Sequence, residues 1–387
     1  MMNSERRDST GRKIRVGVLF GGRSGEHEVS LMSASSVMSA LDPEKYEVLE
    51  IGITRSGQWL AGPAMAQLQA GDSGAHPATL LPDPSSSTLL KVDAEDEAAA
   101  RFSEVSQLDV VLPILHGTYG EDGTVQGLLE LADLPYVGAG VIGSAVGMDK
   151  AIFKYVMEAN NIPIVDWCLV TQDSWQQRKS SVISDIEATL HYPVFTKPAN
   201  LGSSVGISKC KDREELIAGI DDAFQYDRRV VVEQGINARE LEVAVLGNED
   251  PIASIVGEIR PRREFYDYVA KYMAEPGSDD ESELLIPAEI DEETSDLIRA
   301  LAVCAYKAID CAGMGRVDLM MDRDSGDLFM NEINTIPGFT RISMYPKLWE
   351  ATGLSYPDLL DRLIELAIER HELKSVQKTN FDIDQFA

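Results

Sequence analysis

Cysteine is scarce. Cys168, Cys210, Cys304 and Cys311 are the only four in 387 residues, and none stands in C-x-x-C spacing. They read as structural thiols of an intracellular chain, where disulfides are rare. No run of eighteen apolar residues occurs, so no membrane-spanning helix is expected. Basic charge is also short: 35 Lys and Arg face 64 Asp and Glu, a formal net charge of -29. A nucleic-acid binder needs a basic face, so nucleic acid and membrane are both excluded as expected partners, and small molecules are favoured. The opening MMNSERRDSTGRK lacks the apolar core of a secretory signal. Residues 1–13 therefore read as a disordered tail, and the protein as cytoplasmic.

What is present is alternation. Ile14 to Phe20 (IRVGVLF) is a β-branched apolar run that stops at Gly21 and Gly22, and Glu28 to Leu41 then reads as a helix. Strands follow at Tyr46 to Thr54 and Leu108 to Gly117, the order of a parallel α/β sheet. Between them, roughly Gly62 to Ser106 has weak periodicity and is expected to be mostly a surface insertion. Beyond Gly138 come a helix over Asp149 to Asn160, a second over Arg213 to Phe224, and the strands RVVVEQ, ELEVAVLG and PIASIVGEI, which suggest an antiparallel sheet. The expected division is an N-terminal domain over 14–138, a small central one over 139–232 and a larger one over 233–387. A final helix, Pro357 to Arg370, is expected to pack on the last domain.

GRVDLMMDRDSGDLFMNEIN, Gly315 to Asn334, reads as a hairpin turning at Asp324, Ser325 and Gly326. A turn centred on Ser325 sets Arg316 opposite Asn334 and Asp318 opposite Glu332. Alternation then puts these four on one face, with Val317, Leu319, Phe329 and Ile333 on the other. Two carboxylates and an amide oxygen make an oxygen-only set suited to Mg²⁺ with phosphates completing its shell. From the hairpin alone, a solvated polar face with an ordinary Arg316 salt bridge fits equally well.

The stretch KPANLGSSVGISK, Lys197 to Lys209, contains neither G-x-G-x-x-G nor a Walker loop. Lys197 ends the strand YPVFTK, and Ala199 to Ser204 turn back into VGISK. Such a hairpin could fold over phosphates, offering backbone N–H groups, serine hydroxyls and the Lys197 charge. A plain flexible turn is the alternative.

Five blocks, in order, resemble the ATP-grasp ligases and, within them, the D-alanine-D-alanine ligases: GGRSGEHEVSLMSA, HGTYGEDGTVQGLLE, KPANLGSSVGISK, FYDYVAKY and NEINTIPGFTRISMYP. The resemblance runs from about Ile14 to about Arg370. It implies a three-domain α/β ATP-grasp fold and a ligase that phosphorylates one D-alanine with ATP, lets a second attack the acyl phosphate, and releases ADP and phosphate for peptidoglycan synthesis. It also implies site residues. Lys150, Lys197 and Lys271 would bind the triphosphate under the lid residues Gly202 and Ser204. Glu233 and Glu240 would contact adenine and ribose, and Asp318, Glu332 and Asn334 would hold two Mg²⁺ or Mn²⁺ ions. Arg316 and the Gly338 N–H would form an oxyanion hole. Glu26, Ser203 and Tyr272 would form a hydrogen-bonded triad, with Glu26 on the ammonium of the first alanine and His116 nearby. Ser343 and Met344 would hold the second alanine. A homodimer is implied as well. Relatives that join D-alanine to D-lactate or D-serine are the alternative within the family.

Two readings of other classes compete. GGRSGEHEVS follows a strand and opens a helix, as a dinucleotide fingerprint does, but YEVLEIGIT carries no acidic residue at its end to read a ribose. A silent ATP-binding regulator would be expected to have lost some of the metal ligands or lysines, and all are present.

Overall fold

The computed structural model describes residues 11–71, 77–93, 101–260 and 283–378. The chain opens with β1 (Ile14–Gly21), α1 (His27–Ala40), β2 (Tyr46–Ile53) and β3 (Trp59–Ala61). A short α2 (Ala64–Ala70) and the strands β4 (Ala78–Leu80), β5 (Thr88–Asp93) and β6 (Arg101–Gln107) precede β7 (Val110–Ile114). The first sheet has the order β3-β2-β1-β7, with β1 parallel to both β2 and β7. Strands covered on both faces read as continuous apolar runs, which is why IRVGVLF gives no period-2 signal. At its end Gly21 has φ 91°, and a Cβ there would stand 2.2 Å from the Ile53 carbonyl oxygen. Only glycine lets the chain leave the sheet at that point.

The segment from Gly62 to Ser106 is more structured than its weak periodicity suggests. Its strands form a separate antiparallel sheet, β4-β5-β6. Ala78, Leu80 and Leu89 are buried in one core with Leu19, Ile51 and Val111 of the parallel sheet. β4 is only three residues long and shows no period, and the burial of Ala78, Leu80 and Leu89 against the parallel strands is a tertiary contact.

The middle of the chain contains α3 (Thr124–Leu131), α4 (Val141–Met148), α5 (Lys150–Ala159), β8 (Trp167–Thr171), α6 (Gln172–Thr189), β9 (Val194–Pro198), β10 (Ser208–Cys210), α7 (Arg213–Ala223) and β11 (Arg229–Gln234). The four strands form an antiparallel sheet, β10-β9-β11-β8. Asp149 and Asp212 start α5 and α7 by accepting backbone N–H groups of the first turn.

The last third holds β12 (Ala238–Gly247), β13 (Ile252–Arg260), β14 (Glu283–Leu285), α8 (Glu292–Ala308), β15 (Gly313–Asp322), β16 (Leu328–Asn334), α9 (Met344–Thr352) and α10 (Tyr356–Ser375). Its sheet is antiparallel in the order β14-β13-β12-β15-β16. Apolar residues of β1 and β7 share one core with Phe339, Tyr345, Trp349 and the buried face of α10. The final helix thus packs against α1 and β7 as well as β12 and β15, and not on the last sheet alone.

The hairpin pairs Arg316 with Asn334 and Asp318 with Glu332, as turn counting requires. Past that pair the register shifts: Leu319 faces Met330, leaving Asn331 as an extra residue. This bulge moves Met330, 1% exposed, into the core, while Phe329 is only partly buried. The expected core position of Phe329 is corrected accordingly, because one inserted residue flips the alternation beyond it.

Candidate active site

Three groups of side chains meet between the sheets. The first lies on α5, β9 and β11. Asp149 forms an ion pair with Arg229 and begins α5, so Lys150 stands beside the glycine-rich hairpin, its backbone N–H donating to Ala199 O at 2.8 Å. Lys150 Nζ donates to Leu201 O at 2.8 Å and lies 3.6 Å from Glu332 Oε2, which ties the hairpin to β16. Lys197 Nζ is 2.6 Å from Glu233 Oε2, and Lys154 Nζ is 3.1 Å from Oε1 of the same carboxylate. Burial opposes ionisation of Glu233, yet the two ammonium groups outweigh it and hold the carboxyl at about 2. Burial lowers Lys154 despite Glu233; for Lys197 burial also acts downward, but Glu233, Glu332 and Glu240 raise it. Glu240 stands on β12 between Ile259 and Met320.

The second group is the polar face of the hairpin. Arg316 donates from Nε and Nη2 to the two oxygens of Asp318, each at 2.7 Å, and its Nε lies 3.0 Å from Glu242 Oε2. Asn334 Nδ2 donates to Asp318 Oδ2 at 3.0 Å. Asp318, Glu332 and Asn334 are therefore neighbours, as the pairing demands. Among the described residues no group of three or more His, Cys, Asp and Glu is arranged as a metal centre. The donors fit a hard cation through oxygen alone, with two carboxylates and one amide, and need further oxygens from a substrate to fill six positions. Asp318 faces Arg316 and Asn334 donors here, so those contacts would have to yield to a cation.

The third group joins α1, β7 and the loop after β16. Ser24 Oγ accepts from Glu26 N at 2.9 Å and donates to His116 O at 2.6 Å. The carboxylate of Glu26 lies against two glycines: a Cβ on Gly117 would be 2.6 Å from its Oε2, and one on Gly202 would be 3.1 Å away. His116 Nδ1 stands 2.9 Å from Ile336 O, which can only accept, so Nδ1 carries the proton. Nε2 then accepts from Ser33 Oγ at 3.1 Å. Burial lowers the His116 pKa against the pull of Glu26, and the ring is a neutral, satisfied group. Glu121 accepts from Gly117 N at 2.6 Å and from Ile336 N at 3.1 Å, linking two loops 215 residues apart in sequence. Burial, reinforced by the Glu26 charge, pushes its carboxyl up to about 8.

The hairpin tip reaches this third group. Ser203 and Ser204 have φ of 55° and 58°, and Ser203 Oγ is shielded from solvent with no hydrogen-bond partner among the described residues. Non-glycine residues held in that region mark a tip shaped by more than the turn itself. Gly338 lies near Ser343, whose Oγ accepts from Thr340 N at 3.1 Å. Met344 begins α9 and is buried against Gly257. Tyr272 and Lys271, with the block FYDYVAKY, lie outside the described residues.

The structure thus links Glu26, His116, Lys150, Lys197, Gly202, Ser203, Glu233, Arg316, Asp318, Glu332 and Asn334 through a continuous set of contacts. Sequence reasoning passed over Glu121, Lys154 and Glu242. Glu121 lies inside a quoted block, and Lys154 stands one helical turn after Lys150, which was the available signal. A G-x-G-x-x-G run spans Gly138 to Gly143. It leads into α4, where a Cβ on Gly143 would be 2.7 Å from Asp310 O, so at Gly143 the glycine serves close packing.

A sheet built on parallel strands beside the two larger antiparallel sheets, with a glycine-rich hairpin and paired lysines on β9 and α5, defines the ATP-grasp class. The family descriptions "D-ala D-ala ligase N-terminus" and "D-ala D-ala ligase C-terminus" match residues 15–139 and 156–365. The chain belongs to the D-alanine-D-alanine ligase family. It is 48% identical to the D-alanine--D-alanine ligase of Natranaerobius thermophilus, over 96% of this chain and 99% of that one. Its identity to the enzyme of the same name from Solibacter usitatus is 49%, over 95% and 99%. Among solved structures it resembles the D-alanine-D-alanine ligase of Coxiella burnetii (37% identity, TM-score 0.76, covering 94% of this chain and 96% of that one). It also resembles the VanG D-Ala:D-Ser ligase of Enterococcus faecalis (37%, TM-score 0.80, 92% and 100%).

Proposed function

We propose that this protein joins two D-alanine molecules into D-alanyl-D-alanine at the expense of ATP, through a D-alanyl phosphate, as a cytoplasmic enzyme of peptidoglycan synthesis acting as a homodimer. The observation that carries the reading is the close approach of the hairpin tip at Gly202 to the Glu26 carboxylate, with Lys150 bridging the same hairpin to Glu332 on the polar face of β16. The proposed domains divide near Gly138 and Val232, with ATP between the second and third.

Phosphoryl transfer to a carboxylate brings anion to anion, so positioning and charge neutralisation carry the catalysis. In this reading Glu26 receives the ammonium of the first D-alanine and sets its carboxylate toward ATP. Lys150, Lys197 and Lys271 neutralise the triphosphate, and the backbone around Gly202 and Ser204 covers it. Asp318, Glu332 and Asn334 would hold two Mg²⁺ or Mn²⁺ ions, whose charge would offset that of the phosphates. Arg316 and the Gly338 N–H stabilise the tetrahedral oxyanion when the second amine attacks. Ser343 and Met344 line the second site, Glu233 and Glu240 hold the nucleoside, and Tyr272 completes the triad with Glu26 and Ser203. His116, neutral and satisfied on both nitrogens, orients the loop beside Glu26.

The dipeptide is favoured over the depsipeptide or D-serine product because the relatives at 48–49% identity are named D-alanine--D-alanine ligases. The deciding experiment measures ADP release and products with D-alanine alone and with D-lactate or D-serine as second substrate. No D-alanine-dependent ADP release refutes the reading, and a predominant mixed product at neutral pH transfers it to the other branch.

A further inference from the structure

Glu233 is gripped by two lysines of unequal burial. Lys154 Nζ lies 3.1 Å from Oε1 and Lys197 Nζ 2.6 Å from Oε2. The side chain of Lys154 is 2% exposed and that of Glu233 4%, while Lys197 is 13% exposed. One carboxylate needs only one buried counter-ion, and a second interior ammonium is costly unless it has other work. Lys197 has other anionic neighbours, Glu332 on β16 and Glu240 on β12. Among the described residues, the anions that act most strongly on Lys154 are Glu233 and Glu158 of its own helix. The two lysines are therefore not equivalent: one can exchange partners, and the other is enclosed with Glu233.

We infer that Lys154 is a positioning residue of the nucleotide pocket, which keeps Glu233 an oriented acceptor for the adenine amino group while Lys197 turns to phosphate. The inference rests on the reading of Glu233 as the adenine contact. An ionised carboxylate has about four acceptor positions, so lone pairs remain for an amino group beside the ion pair with Lys154. With Lys154 absent, Lys197 becomes the sole counter-ion of Glu233 and must either stay there or leave a buried carboxylate that takes up a proton. A protonated carboxyl offers a donor as well, and it no longer separates the 6-amino group of ATP from the 6-oxo group of ITP. A site built around a polar contact discriminates strongly because the wrong group leaves that contact unpaired.

The test is calorimetric binding of ATP and ITP, each with Mg²⁺, to the full-length wild type, Lys154→Met, Lys154→Arg and Glu233→Gln. Binding does not require the ligase reaction, so a wild type that binds ATP without making dipeptide sinks the proposed function and leaves this inference readable. Lys154→Met is expected to weaken ATP by about tenfold or more while changing ITP little, since a charge-assisted contact of this kind carries about that factor. Lys154→Arg should restore part of the preference. Glu233→Gln should narrow the ATP-to-ITP ratio as far as Lys154→Met, and a variant combining Lys154→Met with Glu233→Gln no further, because both act on one contact. If Lys154→Met does not fold, the Arg and Gln variants still decide. A ratio that stays at the wild-type value in Glu233→Gln, or affinities that fall equally for ATP and ITP in Lys154→Met, overturns the inference.

Discussion

Arg316 grips Asp318 through two parallel bonds of 2.7 Å, on the hairpin face that also carries Glu332 and Asn334. A guanidinium and a cation would compete for the same carboxylate oxygens, so the arrangement should respond to metal. Glu332 is 29% exposed and lies on the polar face, away from the core. Glu332→Ala is expected to lower ADP release on the order of 100-fold or more with little change in thermal stability. Titrating a chelated preparation with Mg²⁺ should restore the wild type and fail to restore the variant. An unfolded variant, or one near wild-type activity, refutes the assignment.

Gly202 faces Glu26, and the extra branches of valine would extend beyond a Cβ already 3.1 Å from Oε2. Gly202→Val should displace the tip or the carboxylate, slowing turnover far more than it lowers stability. Limited proteolysis offers an independent check: cleavage near residues 200–206 should be reduced in the wild type by ATP with D-alanine, and less so in the variant. Equal cleavage with and without substrates counts against a closing hairpin.

Glu121 couples stability to pH. Its carboxyl is raised from an ordinary 4.5 to about 8 by burial and by Glu26. Between those values the unfolded chain has lost a proton that the folded chain retains, so this group's contribution to stability is full below about 4.5 and declines as pH rises to about 8. Glu121→Gln cannot titrate, and its melting temperature should depend less on pH between 5 and 8. Parallel curves for the two proteins would show that Glu121 ionises normally.

The bulge at Asn331 predicts an asymmetry between neighbours. Met330→Ala removes a fully buried side chain and should cost about 2–5 kcal/mol. Phe329→Ala, at a partly buried position, should cost less than about half of that despite the larger side chain. Chemical denaturation of both variants settles the register, and the reverse order would restore unbroken alternation.

Much of the molecule is written locally. The parallel strands, the helices begun by Asp149 and Asp212, and the pairing of Asp318 with Glu332 follow from apolar runs, capping residues and a turn, all of which act within a few residues. The glycine-rich hairpin was legible for the same reason, with β9 and β10 pairing across it. Tertiary structure alone decided the rest. The small sheet β4-β5-β6 exists because the parallel sheet offers it an apolar face, the bulge at Asn331 because Met330 finds a core site, and the contact of Glu121 with Ile336 because two loops 215 residues apart converge. Burial of Lys154 against Glu233 likewise needs α5 and β11 to meet. Local patterns encode which backbone each segment prefers. Which charges end up enclosed together depends on desolvation, and that is set only when distant segments exclude water from the same space.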